Sequence, residues 1–484
     1  MRRASRCARI ATFAILGAAA CGPAPGPPQH PAATSPTSQA SAGPSSKPVG
    51  DAEAPRETSS TVAFIKDDLA GALARAKAQG KLVFVDAWAP WCHTCLSMKN
   101  FVLNQPALKK FESDVVFVAL DTEREENESF VERYRMDVWP TLFVIDPTQG
   151  ELVGFWPGAA SLREVEQLLS ESVTLAELGR SGKLDPRSPD GLLLAAKRAM
   201  SNEKYKAASE HYGAAVRAAA ESWPRRNEAL LGWIKSLHHA RRGAECVEVG
   251  NRHADEVRGA AIPADFARFW FSCTRGLASP TAKSAARKKA LAYLERITAS
   301  PSKDASADDV SDAWEILADA RLELGDKAGA KAAHAARLTL LEKAAAAAPT
   351  PSAAATFDYA RAASYVALGR ASEAVSMLEE RVTQLPDSYE PSGRLASLLL
   401  RMGRFAEAKA AIDRTLEIAY GPRRQRYLAL KAEICQKLGD QPGRIAALEE
   451  EVAEWRKLAK RQGRSPAGLR DAETRLTQAR QGAR

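Results

Sequence analysis

A spacing of 34 residues governs the second half of this chain. Leu368-Gly369-Arg370 with Glu373-Ala374 recurs as Met402-Gly403-Arg404 with Glu407-Ala408, and in looser form as Leu438-Gly439-Asp440. Repetition at that period, without strand-like alternation, dictates pairs of helices. The glycine ends the first helix of each pair, and the small alanine lets the second helix pack closely against it. One such pair cannot bury its own apolar face, so successive pairs must stack into a solenoid. Tyr205-Lys206-Ala207-Ala208 with Tyr212 and Ala215 reads as the second helix of an earlier unit, and Leu324-Gly325-Asp326 marks another. A helical array is expected over residues 185–455, followed by a charged tail over 456–484.

Before residue 173 the pattern is different. Apolar runs at Val62-Ala63-Phe64-Ile65, Leu82 to Trp88, Val115 to Leu120, Leu142 to Ile145 and Leu152 to Phe155 alternate with helical stretches at 67–79 and 127–134. Ser161-Leu162-Arg163-Glu164 is a capping box that opens a final amphipathic helix. Alternation of this kind gives an α/β sheet with helices on both faces. Directly behind Leu82–Trp88 stands Trp91-Cys92-His93-Thr94-Cys95. A buried strand that ends in a turn and opens a helix with two thiols three positions apart is the form of a dithiol redox site. At a helix start, unpaired N–H groups and the positive end of the dipole favour an anion, so Cys92 should ionise more easily than a free thiol. Cys95, one turn later, can reach the same sulfur.

The segment from Val85 to Cys95 resembles the active-site segment of the thioredoxin superfamily. Trp139-Pro140-Thr141, ahead of Leu142 to Asp146, resembles its cis-proline loop. The gap after Cys95, with Pro106 to Glu112 as a short helix, is most similar to the soluble reductase domains of bacterial periplasmic disulfide interchange proteins. The 34-residue period is that of tetratricopeptide repeats. These resemblances imply an α/β thioredoxin-like fold over 61–172, a central mixed sheet with flanking helices, and then an all-α tetratricopeptide-like solenoid.

They also imply roles. Cys92 would be the nucleophile, Cys95 the resolving thiol, Asp86 the acid that helps deprotonate it, and Pro140 a cis residue facing Cys92. Trp91, His93, Thr94, Trp139 and Thr141 would lie near the substrate. Asp86 could instead be a strand-end acid in solvent. His93 either stabilises the Cys92 thiolate, which makes the disulfide easier to reduce, or points into solvent. Trp139 stands where a small or aliphatic residue is usual, so its ring would narrow substrate access or offer an apolar platform. No cofactor is expected. A closed metal site needs more ligands than two thiols, and no second Cys or His pair lies at metal spacing from Cys92.

The N-terminus reads as an export signal over 1–21: Arg2, Arg3, Arg6 and Arg9 precede a short apolar stretch from Ile10 to Ala20. Ala18-Ala19-Ala20-Cys21 resembles the lipobox of bacterial lipoproteins, with Cys21 as the lipidated residue; simple secretion through the small-residue site is the other reading. The Pro, Ala, Ser and Thr mixture over 22–60 lacks large apolar residues and suits a flexible tether. A periplasmic location in a bacterial envelope follows, with the membrane reached through the lipid anchor alone.

The chain's 68 Lys and Arg are interleaved with 59 Asp and Glu, the pattern of solvated helix faces, and no nucleic-acid motif accompanies the net charge of +9. Cys246 and Cys273 lie equally far from a turn near Gly259 and Ala260, so an antiparallel helix pair would set them opposite each other. A structural disulfide and two separately buried thiols both fit. The expected function is thiol:disulfide exchange with protein substrates, supported by a separate electron-donor or acceptor protein, with the repeats docking a protein partner. The competing function is a binding scaffold in which the thioredoxin-like part has no redox role.

Overall fold

Seven consecutive residues, Leu82–Trp88, form the central strand, and all but the last are buried. A strand covered on both faces must be apolar throughout, which is why this run shows no alternation. The computed structural model describes residues 61–134, 136–463 and 465–482. The expected leader, Cys21 and the tether lie outside the described residues. The first part comprises β1 (Ile65–Lys66), α1 (Leu69–Gln79), β2 (Leu82–Trp88), α2 (His93–Ser97), β3 (Val115–Asp121), α3 (Glu128–Arg133), β4 (Thr141–Asp146), β5 (Glu151–Pro157) and α4 (Leu162–Arg180).

The sheet order is β1-β3-β2-β4-β5. β2 runs parallel to β3, pairing Phe84 with Phe117, and antiparallel to β4, pairing Phe84 with Val144. α1 packs on β2 and β3, and α4 on β4 and β5. Both halves of the capping box at the start of α4 form, Ser161 with Glu164. α4 runs past residue 172 to Arg180, because Leu175 and Ala176 continue its buried stripe.

Sixteen helices follow among the described residues, from Pro189–Ser201 to Ala467–Gln481. The pairs Asp358–Ala367 with Ala371–Gln384, and Tyr389–Arg401 with Phe405–Ile418, carry the 34-residue period. Gly369, Gly403 and Gly439 adopt φ of 79°, 75° and 73°, the left-handed turn that a side chain resists. Ala374 and Ala408 are fully buried where the helices meet. Cys246, in the helix Gly243–His253, is disulfide-bonded to Cys273, at the end of the helix Ile262–Cys273. The described residues of the charged segment over 456–484 are largely helical. They finish the helix Gln441–Gln462 and add Ala467–Gln481, whose Leu469, Ala472, Leu476 and Ala479 make a buried face against Ala447, Leu448 and Val452. No helix among the described residues is long and apolar enough to cross a membrane.

From residue 61 onward the sheet and the repeats form one compact unit. The Phe101 ring stacks on Phe357 at 5.9 Å, and the Arg461 guanidinium pairs with Glu128 at 3.0 Å. Tyr420 donates its hydroxyl to Asp121, and Arg198 donates to the Leu152 carbonyl at 3.3 Å. The repeats therefore grip the sheet at several separate places, among them the end that carries the cysteines.

Candidate redox site

β2 delivers the chain into a tight turn at Ala89–Trp91, closed by the Cys92 N–H donating to the Ala89 carbonyl at 3.1 Å. Cys92 caps α2, and its sulfur accepts the Cys95 N–H at 3.0 Å. The two sulfurs are joined in a disulfide, with the Cα atoms 5.2 Å apart. In the reduced state the same N–H donor would stabilise a Cys92 thiolate, the chemistry expected of a thiol at a helix start. The helix widens to a π-turn over Met98–Val102, where Leu103 donates to the Met98 carbonyl at 2.7 Å. Residues Asn100 and Phe101 thereby face the repeats.

The Trp139–Pro140 bond is cis. Its loop is pinned by the Gly158 N–H on the Pro140 carbonyl at 2.8 Å and by the Thr141 hydroxyl on the Val138 carbonyl at 2.8 Å. Thr141 is thus a buried loop-closing residue. Trp139 donates its indole N–H to Thr122 at 2.9 Å, and its ring lies 5.3 Å from that of Trp91. These two rings and Trp88 pack around Ala89, Cys92 and Cys95. Cys92 is 5 % exposed and Cys95 1 %. Thr94 is half-buried, its carbonyl accepting the Met98 N–H.

Asp86 is only 4 % exposed in the middle of β2, and its Oδ1 has no hydrogen-bond partner. Burial pushes its carboxyl up to about 7, against the pull of Lys99. A buried acid that exchanges its proton near neutrality is suited to accept one from a thiol and return it. The reading of Asp86 as a solvent-exposed strand end does not fit this burial.

His93 points neither into solvent nor back along its own helix. Its Nδ1 lies 2.9 Å from Asp308 Oδ1, and its ring stacks on Tyr359 at 5.5 Å, with the planes 12° apart. Burial alone would lower the imidazole; the carboxylates of Asp308, Asp312 and Glu315 outweigh it and raise it to about 9. His93 is therefore a cation at neutral pH, held by the repeats. Burial likewise raises Asp312, while the His93 charge opposes that rise. Donor atoms of His93, Asp308 and Asp312 converge within 4.8 Å. The 2.9 Å contact pairs two of them, Arg337 stands 3.9 Å from Asp312, and Asp312 Oδ1 has no hydrogen-bond partner.

Trp91 is held from the other side. Its indole donates to Glu123 Oε1 at 2.7 Å, its carbonyl accepts from Arg394 at 3.1 Å, and the Arg423 guanidinium lies 5.0 Å over its ring. Glu123 Oε2 accepts the Arg423 backbone N–H at 2.7 Å. Burial raises the Glu123 carboxyl, and these two hydrogen bonds work against that rise. Glu390 gathers Arg394, Arg423 and the Tyr427 hydroxyl into the same network.

Asp308, Tyr359, Glu123, Arg394 and Arg423 were not among the residues expected at the site. The readable signal was the spacing of Asp308, Asp312, Glu315 and Asp319, which puts four acids on one face of a single helix. Interleaved charge suggested solvated faces; here part of that charge surrounds the cysteine turn.

Residues 64–147 match the family model described as thioredoxin-like, and residues 365–434 match that of the tetratricopeptide repeat. The chain carries a thioredoxin-like domain followed by tetratricopeptide repeats. Over 86 residues it is 33% identical to the thiol:disulfide interchange protein DsbD of Pseudomonas fluorescens, a match that covers 17% of this chain and 15% of that protein. Among solved structures, a tetratricopeptide repeat protein from Parabacteroides merdae is 12% identical and aligns with a TM-score of 0.37, over 60% of this chain and 98% of that one. A thermophilic tetratricopeptide repeat protein of Thermus thermophilus is 18% identical with a TM-score of 0.28, over 44% and 100%. The thioredoxin-like match contains Asp86, Cys92, Cys95 and Pro140 together.

Proposed function

We propose that this chain is a thiol:disulfide oxidoreductase acting on protein substrates, exported and held at the periplasmic side of a bacterial membrane by a lipid on Cys21. The observation that carries the reading is the Cys92–Cys95 bond at the opening of α2, with the Cys95 N–H on the Cys92 sulfur. In the reduced enzyme the Cys92 thiolate attacks a substrate disulfide, forming a mixed disulfide and expelling one substrate thiolate. Cys95 then gives its proton to Asp86 and attacks Cys92. The second substrate thiolate leaves, two electrons have passed to the substrate, and Cys92–Cys95 is oxidised. A separate dithiol protein restores the reduced pair. The match to a thiol:disulfide interchange protein supports this class of chemistry.

Turnover of insulin by dithiothreitol tests the reading. The wild-type chain should accelerate precipitation, and Cys92→Ala should abolish the acceleration; an unchanged rate in the variant sinks the proposal. The burial of Cys92 favours a second reading, a repeat scaffold whose thioredoxin-like domain has no redox role. Cys95→Ser separates the two in cells: covalent capture of other polypeptides on Cys92 supports exchange, and no capture supports the scaffold.

A further inference from the structure

The imidazole next in sequence to Cys92 is bound by residues more than 200 positions away. Asp308 stands at the start of the helix Ala307–Glu323, is 1 % exposed, and directs Oδ1 at His93 Nδ1. Tyr359, from the helix Asp358–Ala367, stacks on the His93 ring, and Arg394 lies 5.8 Å over the Tyr359 ring. Asp312 and Glu315 lie one and two turns beyond Asp308, but Arg337 pairs with Glu315 at 2.8 Å and stands near Asp312. Asp308 is thus the carboxylate committed to His93.

We propose that Asp308 is a positioning residue of the redox site: by pairing with His93 across the junction, it fixes a charged imidazole on the residue next to Cys92 and makes the Cys92–Cys95 disulfide easier to reduce. The proposal rests on the reading of these cysteines as a working redox pair. Reduction adds two electrons and leaves a thiolate on Cys92; a neighbouring cation stabilises that product and has nothing comparable to stabilise in the disulfide. Without Asp308 the buried ring loses its hydrogen-bonded counter-charge, Asp312 and Glu315 replace it only from further away, burial shifts the imidazole toward its neutral form, and the reduced state loses part of its cation. The repeats are then part of the redox chemistry as well as a surface for partners.

The test is equilibration of the full chain with reduced and oxidised glutathione, in which two glutathione thiols reduce the Cys92–Cys95 bond and become glutathione disulfide. Asp308→Asn should shift the constant about tenfold toward the protein disulfide, about 30 mV more reducing, and Asp308→Glu should restore most of it. In a His93→Ala background Asp308→Asn should change the constant by less than twofold. Phe101→Ala, which loosens the Phe357 contact of the same junction, should leave it unchanged. A shift below twofold for Asp308→Asn overturns the proposal, as does an equal shift without His93 or in Phe101→Ala. A change in the wild-type constant on adding EDTA assigns the cluster to a cation and also overturns it. Loss of insulin turnover with the glutathione pattern intact would instead count against the oxidoreductase reading alone.

Discussion

Replacing Asp86 by Asn should make the protein more stable, and increasingly so as pH rises. The folded state raises this carboxyl from an ordinary 3.8 to about 7 because β2 buries it. Between those values the folded chain binds a proton that the unfolded chain has released, so stability falls as pH rises, by about 1.4 kcal/mol per pH unit. The penalty is nearly absent below pH 3.8, is about 2 kcal/mol at pH 5, and reaches about 4 kcal/mol above pH 7. Asparagine has nearly the same shape and no proton to lose. Its constant effects cancel when the variant is compared with wild type at two pH values. Equilibrium urea unfolding of the oxidised chain, followed by tryptophan fluorescence, should show the stability difference growing by about 2 to 3 kcal/mol in favour of Asp86→Asn from pH 5 to pH 8. A difference that stays constant within about 0.5 kcal/mol across that range refutes the assignment of a raised carboxyl to Asp86. In the mechanism proposed above, where Asp86 accepts the Cys95 proton, the same variant should also resolve mixed disulfides more slowly.

Replacing both Cys246 and Cys273 by Ala opens a loop with a sequence separation of 27, a loss of about 3.5 kcal/mol by the loop-entropy relation, which urea unfolding of the oxidised wild type against the variant would measure. Gly421→Ala places a Cβ 2.0 Å from the Glu123 carbonyl at a φ of +61°, so it should lift the repeat helix Gly421–Leu438 away from the cysteine turn. Iodoacetamide should then alkylate reduced Cys92 several-fold faster than in wild type; an unchanged rate would dissociate that contact from access. Arg394→Ala removes the donor to the Trp91 carbonyl and should raise the same rate less, because Arg423 still covers the ring.

Local features of this protein were legible because they are written in short spans. β2 shows itself as an apolar run interrupted only by Asp86, the start of α4 as Ser161 and Glu164, and the repeats as glycines at turns with a buried alanine five positions later. Cys246 and Cys273 could be set opposite each other because both flank one turn, but the choice between a disulfide and two buried thiols needed the helix phase, which the structure supplies. The surroundings of Cys92 were not legible, since Asp308, Tyr359 and Arg394 come from different helices and reach the turn only after the array has stacked. Asp308 also follows Ser306, the cap of its own helix. In the sequence it looks like an ordinary first-turn acid complementing the dipole. Helix-face charge alone does not distinguish a side facing water from a side facing His93.

Glu123 receives the Trp91 indole on one oxygen and the first turn of a repeat helix on the other. One carboxylate is shared by two structures that would ordinarily be regarded as interchangeable parts. Grafting this sheet onto a foreign array, or trimming the chain before Gly421, would leave that acid without half of its donors next to Trp91. The halves must therefore be inherited, engineered and truncated as one piece.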